Sequence, residues 1–157
     1  MTVRLAFLLA ALVVLHLMAN VALPLGALAP DLFTVTVLMA SQRLGAAWGA
    51  ALGFALGLVE DSVSLTSFGA SAFALAMVGG AAGRLAEVLK SDSSAFRFVL
   101  FAVGKWSRDL LAWLVSDAAT RPPVADALLV EATVAALYAA TVGVAVGAFL
   151  SPSPRSA

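Results

Sequence analysis

The sequence lacks cysteine altogether and has a single histidine, so most metal and redox chemistry finds no ligands here. Without cysteine among its 157 residues, the chain cannot form disulfides, iron–sulfur clusters or thiolate zinc sites. With His16 as the one imidazole, a metal site would need carboxylates alone, and these are scattered along the chain. We therefore predict that the protein uses no metal and no other cofactor.

Charge is also scarce, and neither sign dominates. Charged residues make up 11% of the chain, against roughly 25% in a typical soluble domain. Nine Lys and Arg residues balance nine Asp and Glu residues, which leaves no basic field for nucleic acid. Apolar residues account for 62% of the chain, and the mean hydropathy is +1.04. A water-soluble domain of this length has too little interior for so many apolar side chains. The composition predicts an integral membrane protein.

The apolar residues fall into runs that can cross a bilayer as helices, which takes about 20 residues each. The region from residue 31 to residue 59 fits either one bent span or two short ones. The positive-inside rule favours two, because a six-span chain with a cytoplasmic N-terminus has six cations in its inside segments and one, Arg121, outside. We predict an all-α bundle of six transmembrane spans with both termini inside, at residues 5–23, 29–42, 44–59, 68–85, 96–115 and 128–150.

Residues 1–150 are predicted to form one transmembrane domain, followed by a short disordered cytoplasmic tail at residues 151–157. The first run could instead be a cleaved signal peptide, because residues 27–29 resemble a cleavage site. Pro30 directly after that site, and the length of the run, favour a retained anchor. The second span is short and reaches only about 21 Å. We expect the bilayer to thin around it, or neighbouring helices to shield it.

Glycine recurs at every fourth position of the third span, at Gly45, Gly49, Gly53 and Gly57. Residues four apart lie on one face of a helix. Glycine on such a face lets another backbone come close, which favours helix association in lipid. The face is predicted either to pack inside the bundle or to dock the helix of a partner protein, and the sequence leaves both open.

The fifth span carries charges near its middle, where lipid contact would cost several kcal/mol for each. Lys105, Arg108 and Asp109 are spaced i, i+3 and i+4, so they share a face that must point away from lipid. Lys105 and Asp109 can pair with each other, and Arg108 then needs a second acid. Candidates at the outer ends of other spans are Glu60, Asp61 and Glu131. The cluster is predicted to be a structural ion network, a polar ligand cavity or a charged seam for a partner.

No arrangement of residues indicates catalysis. The serines have no histidine beside them in sequence, and the glycines lack the Gly-Lys-Ser/Thr ending of a phosphate-binding loop. His16, inside the first span, is interpreted as a hydrogen-bonded packing residue because there is no second histidine. We therefore predict that the protein is not an enzyme.

Three segments resemble the family of rod shape-determining membrane protein MreD. Pro30-Asp31 opens an apolar run, residues 53–61 fit the family's Gly-Phe-x-x-Gly-Leu-x-x-Asp segment, and residues 68–75 resemble the start of its next helix. The last two spans match none of the family's patterns. Beyond the glycines Gly53 and Gly57, the family positions that the resemblance assigns are Pro30, Asp31, Phe54, Leu58, Asp61 and Gly69.

The resemblance implies a function without an enzymatic activity. The protein would be a multi-pass component of the bacterial inner membrane that maintains cell shape as part of the rod complex. It would bind the single-span protein MreC, and so help to couple the MreB cytoskeleton to RodA and a class B penicillin-binding protein in lateral peptidoglycan synthesis. Membrane lipid is the other expected contact.

An alternative comes from transport. The six-span architecture also resembles the six-helix substrate-binding subunits of energy-coupling-factor vitamin transporters. Those subunits dock through an Ala-x-x-x-Ala surface, which Ala6 and Ala10 match, although alanine is so common here that the match carries little weight. In this alternative Lys105, Arg108 and Asp109 would line a substrate cavity. An unrelated small membrane scaffold is the third possibility.

Overall fold

A computed structural model describes residues 3–22, 31–63, 68–90, 93–118 and 121–150, and contains no β-strand within them. A π-helical segment, Ala125–Glu131, runs directly into the last helix. The α-helices are α1 Val3–Ala22, α2 Leu32–Leu44, α3 Ala46–Val63, α4 Ala70–Leu89, α5 Ser94–Val115 and α6 Ala132–Leu150. The all-α prediction is confirmed.

Three helical segments are long and apolar enough, by length and composition, to cross a membrane: Ala46–Val63, Ala70–Leu89 and Ala125–Ala148. Shorter apolar helices lie at Leu5–Met18 and Leu32–Leu44. The fifth helix is long enough but carries several charged side chains. The described helices thus fit a membrane protein, while six full crossings remain a prediction. The predicted tail at residues 151–157 lies outside the described residues.

Two helices rather than one bent helix occupy the doubtful region, and local chemistry explains the break. Asp31 begins α2 by accepting a hydrogen bond from the backbone N–H of Thr34 at 3.0 Å. Gly45 ends it with a φ of +87°, a conformation that glycine adopts without strain. The predicted third span began at residue 44 and included Gly45. That boundary is wrong, because the positive φ places Gly45 between α2 and α3.

The short second helix lies at the centre of the bundle. Every residue from Leu32 to Ser41 is buried, and α2 contacts all five other α-helices. Its buried hydroxyls bond to the chain itself: Thr36 Oγ1 donates to Leu32 O at 2.7 Å, and Ser41 Oγ donates to Val37 O at 2.6 Å. A helix of 13 residues spans only about 20 Å. Shielding by its neighbours therefore makes a short, centrally placed helix tolerable.

The first helix lies against α2 with His16 facing inward. The His16 Nδ1 accepts a hydrogen bond from the backbone N–H of Leu32 at 3.2 Å, and its ring centroid lies 4.0 Å from that of Phe33. That N–H belongs to the first turn of α2, where backbone donors have no partner inside the helix. His16 thus packs against Phe33 and also supplies a hydrogen-bond acceptor to the first turn of α2.

Candidate functional site

The glycine face of α3 packs against the backbone of α4. A Cβ added at Gly53 would overlap the carbonyl of Leu75, and one added at Gly57 would overlap the backbone of Ala72. At Gly49 the obstructing atoms are the hydroxyl of Ser41 and the carbonyl of Gly79. Within the chain, α4 therefore occupies the surface that these three glycines form. A partner helix could reach them only if α4 moved aside.

The fourth glycine of the ladder differs from the other three. Gly45 lies outside α3, and its N–H donates to Ser41 O at 3.0 Å. An added Cβ would come within 2.6 Å of Glu87 Oε1, the far end of a flexible side chain. Glu87 also accepts a hydrogen bond from the N–H of Ala46 at 3.0 Å, so this acid caps the start of α3. Gly45 thus serves the turn between α2 and α3.

The family positions near the end of α3 build the junction with α4. Asp61 is 3% exposed and accepts hydrogen bonds from three backbone N–H groups, those of Gly69, Ser71 and Ala72, at 2.9, 3.1 and 3.0 Å. Gly69 has a φ of +96° and directly precedes α4. A carboxylate at a helix N-terminus satisfies donors that the helix leaves unpaired, and its charge complements the helix dipole.

The remaining family positions have less specific surroundings. Phe54 is 52% exposed. Leu58 is half-buried. Pro30 lies outside the described residues. The geometry assigns a clear structural role to Asp61 and Gly69 but none to Phe54.

The predicted charges of α5 join two acids from other helices in one cluster, which we call the ion cluster: Asp31, Glu60, Lys105, Arg108 and Asp109. Lys105 Nζ lies 2.6 Å from Asp109 Oδ1 and 3.1 Å from Asp31 Oδ2. Arg108 pairs with Glu60, and its Nη1 lies 3.1 Å from Asp109 Oδ1 and 3.5 Å from Asp31 Oδ2. The ion cluster thereby ties the start of α2 and the end of α3 to the middle of α5.

The cations of the ion cluster are deeply buried. Lys105 is 5% exposed and Arg108 is 9% exposed. Such charges are costly inside a membrane unless partners compensate them. Here three carboxylates meet two cations, so one negative charge has no counterpart within the cluster. Arg108 Nε and Glu60 Oε2 are buried and have no hydrogen-bond partner among the residues that the structure describes.

Sequence analysis proposed three acids as partners of Arg108, namely Glu60, Asp61 and Glu131. In the structure Arg108 pairs with Glu60. Asp61 caps α4 instead, and Glu131 lies on the π-helical segment without contacting Arg108. Asp31 was not among these candidates, because sequence analysis placed it only at the opening of the second apolar run; in the structure it also caps α2. Its Oδ1 caps the helix while its Oδ2 faces Lys105. A signal was present, since an N-capping acid at a span end is available to a cation on a neighbouring helix.

Apolar helices held together by close glycine packing and by a buried ion cluster define a helical membrane protein. The sequence profile described as rod shape-determining protein MreD matches residues 1–104 of the chain. The chain therefore belongs to the rod shape-determining protein MreD family, as its motifs predicted. Searches of curated proteins and of solved structures returned no match.

The family match divides the ion cluster. Asp31 and Glu60 lie within the matched residues, whereas Lys105, Arg108 and Asp109 follow directly after them. The match thus includes the glycine interface, the Asp61 cap and two of the three acids of the ion cluster. Both cations, the third acid Asp109 and all of α6 lie beyond it.

Proposed function

We propose that this protein is a non-enzymatic, multi-pass component of the bacterial inner membrane that works in the rod complex of cell elongation. In this role it binds MreC and helps to couple the MreB cytoskeleton to lateral peptidoglycan synthesis by RodA and a class B penicillin-binding protein. The observation that carries the proposal is the family match over residues 1–104. The charge bias of the loops supports a topology of six spans with both termini inside, and three of the described helical segments are long and apolar enough to cross a membrane.

We infer that MreC does not bind to the glycine face of α3. That face was one predicted docking surface, but α4 covers it at Gly49, Gly53 and Gly57. We therefore propose that MreC binds elsewhere on the lipid-facing surface of the bundle. A scan of exposed apolar positions on each helix, read out by co-purification of MreC, would locate the contact.

Depletion of the protein in its native bacterium tests the proposed function. The cells grow in rich medium with vitamins supplied, and cell width is measured by microscopy. Rods that swell or round up, and recover when the wild-type gene is restored, are the expected result. Unchanged width, with a growth defect that appears only when vitamins are withdrawn, would replace the proposal with the transporter-subunit alternative.

Co-purification tests the partner directly. MreC is expected to co-purify with the wild-type protein from solubilised membranes. Failure to recover MreC with a folded wild-type protein would contradict the proposed contact while leaving the role in cell shape to the width measurement.

A further inference from the structure

A groove of about 320 Å³ opens between α5 and the π-helical segment that leads into α6. Lys105 and Asp109 of the ion cluster lie on its α5 side, and Glu131 lies on the opposite side. Trp113, Leu128 and apolar residues of α6 complete the lining. The groove thus has a charged floor and largely apolar walls.

The π-helical segment shapes one side of this groove. In a π-helix the backbone bonds run from residue i+5 to residue i, as from the N–H of Ala132 to Ala127 O. The Leu128 carbonyl accepts side-chain hydrogen bonds from Trp106 Nε1 and Thr133 Oγ1, both at 3.2 Å. Widened turns of this kind are frequent at functional sites. Here the turn carries Glu131 to the edge of the groove.

The rim of the groove is held by the turn after α5. Trp113 Nε1 donates to Pro122 O at 3.0 Å, and the guanidinium of Arg121 lies 4.5 Å from the centre of the Trp113 ring. Arg121 Nη2 also donates to the carbonyls of Leu114 and Ser116 at 2.9 and 2.8 Å. These contacts link the rim to the end of α5. Tryptophan at a helix end is typical of the level of lipid headgroups.

The groove offers acceptors that nothing in the described chain uses. Lys105 and Arg108 both bond to Oδ1 of Asp109, which leaves Oδ2 available. Glu131 is exposed, and its carboxylate has no hydrogen-bond or ion-pair partner among the described residues. The ion cluster beneath already carries one more carboxylate than it has cations. The lining itself holds two carboxylates, those of Asp109 and Glu131, against the single ammonium of Lys105, so charge complementarity favours one further cation in the groove.

The chemistry of the lining selects the kind of cation. Within the described ranges, no three His, Cys, Asp or Glu side chains converge in a way that could hold a metal ion. A primary ammonium has three N–H donors, which suit the free oxygens of Asp109 and Glu131. The apolar walls and the Trp113 ring can accommodate the carbon atoms attached to it. A trimethylated ammonium has no donor and would leave both carboxylates unsatisfied.

We propose that this groove binds a primary ammonium group between Asp109 and Glu131, towards the side of the bundle where α5 ends and the π-helical segment begins. The ethanolamine headgroup of a phospholipid and a free small amine both supply this chemistry. The inference does not depend on the role in cell shape, because it follows from the groove and its charges alone.

Thermal unfolding of the purified full-length protein in detergent tests the proposal. The added lipids are phosphatidylethanolamine and phosphatidylcholine with identical acyl chains. Phosphatidylethanolamine is expected to raise Tm by about 3 °C or more, and phosphatidylcholine by clearly less. Glu131→Gln should abolish the difference between the two lipids. Its own Tm without lipid should equal that of the wild type, because Glu131 is exposed and outside the ion cluster.

The matched control is Asp126→Asn, which removes an exposed acid from the same π-helical segment outside the groove. It should keep the full preference for phosphatidylethanolamine. A parallel titration with ethanolamine and choline separates the two sources: a Tm rise with ethanolamine shows that soluble amines enter, and its absence restricts the site to the lipid headgroup. Equal shifts with both lipids, or a preference that survives Glu131→Gln, would overturn the proposal.

Discussion

Two helix contacts in this protein are built in opposite ways. At Gly49, Gly53 and Gly57, the backbone of α3 approaches the backbone of α4 closely, and the described atoms nearest to these glycines belong to uncharged residues. The contact of α5 with α2 and α3 instead depends on the ion cluster, whose cations are almost fully buried. The first contact is sensitive to size and indifferent to charge. The second is sensitive to the balance of charge. We therefore expect added side-chain volume to destabilise the first contact and removal of a charge to destabilise the second.

The largest effect is expected from adding a single methyl group to the glycine interface. Gly53→Ala places a Cβ against the carbonyl of Leu75, which cannot turn aside as a side chain would. We expect a loss of more than about 3 kcal/mol, at or beyond the upper end for overpacking. Thermal unfolding in detergent, together with the yield of monodisperse protein, measures it.

Gly80→Ala is the matched control for this prediction. The added Cβ would lie 3.4 Å from the Cβ of Ala50, an ordinary contact at the edge of the same interface. Because alanine favours a helix over glycine by up to about 1 kcal/mol, this variant should be neutral or slightly more stable. Equal stability of the two variants would show that α3 and α4 are not as close as described.

The next effect comes from disturbing the balance of the ion cluster. Arg108→Gln leaves three partly buried carboxylates with Lys105 as the only remaining cation of the ion cluster. Removing one partner of a buried ionic group costs about 3 kcal/mol or more, because the remaining charge is uncompensated. Adding Glu60→Gln to the same chain should recover part of this loss, since it removes one of the unpaired acids.

The comparison of single and double variants separates charge from packing. If Glu60→Gln fails to recover any stability in the Arg108→Gln background, the packing of the long Arg108 side chain matters more than its charge. Arg84→Gln provides the baseline, because Arg84 is an exposed arginine of α4. It should change the free energy of unfolding by no more than about 0.5 kcal/mol.

Sequence patterns predicted the two contacts unequally. The helical class and a close-packed glycine face follow from local spacing, and the division into two helices followed from the charge bias of the loops. The helix that covers that face does not, because glycine spacing describes one surface and carries no information about its partner. The place of Gly45 was misjudged for a related reason: the spacing of four continues through it, while its positive φ is set by the turn.

The ion cluster shows the same limit at longer range. The spacing of Lys105, Arg108 and Asp109 predicted a shared inward face, and Glu60 was among the acids considered. Asp31 was not, because its place beside Lys105 depends on how α2 packs against α5 at the centre of the bundle. The π-helical segment had no sequence signal at all.

A smaller loss of stability is expected from substitutions at Asp61, a charged residue next to the glycine interface. Its charge caps α4 just beyond the glycine interface, through three backbone N–H groups. Asp61→Ala leaves these donors without their acceptor, and we expect a loss of about 2 kcal/mol. Asp61→Asn keeps one acceptor oxygen and should lose less. Ser62→Ala next to it is the control, because that exposed hydroxyl bonds only to Val59 O among the described residues. A stable Asp61→Ala variant would mean that water can replace the cap.

The smallest effect tests the contact between α5 and the π-helical segment. Trp106→Phe keeps an aromatic ring but removes the donor that reaches the Leu128 carbonyl at 3.2 Å. Because Thr133 Oγ1 also donates to that carbonyl, the acceptor keeps one partner, and the loss should be about 1 kcal/mol. Trp48→Phe controls for the change of ring, since Trp48 is 65% exposed. If both variants unfold at the same temperature, the Trp106 hydrogen bond adds nothing to the ring packing, and the π-helical turn is stabilised by its own backbone and by Thr133.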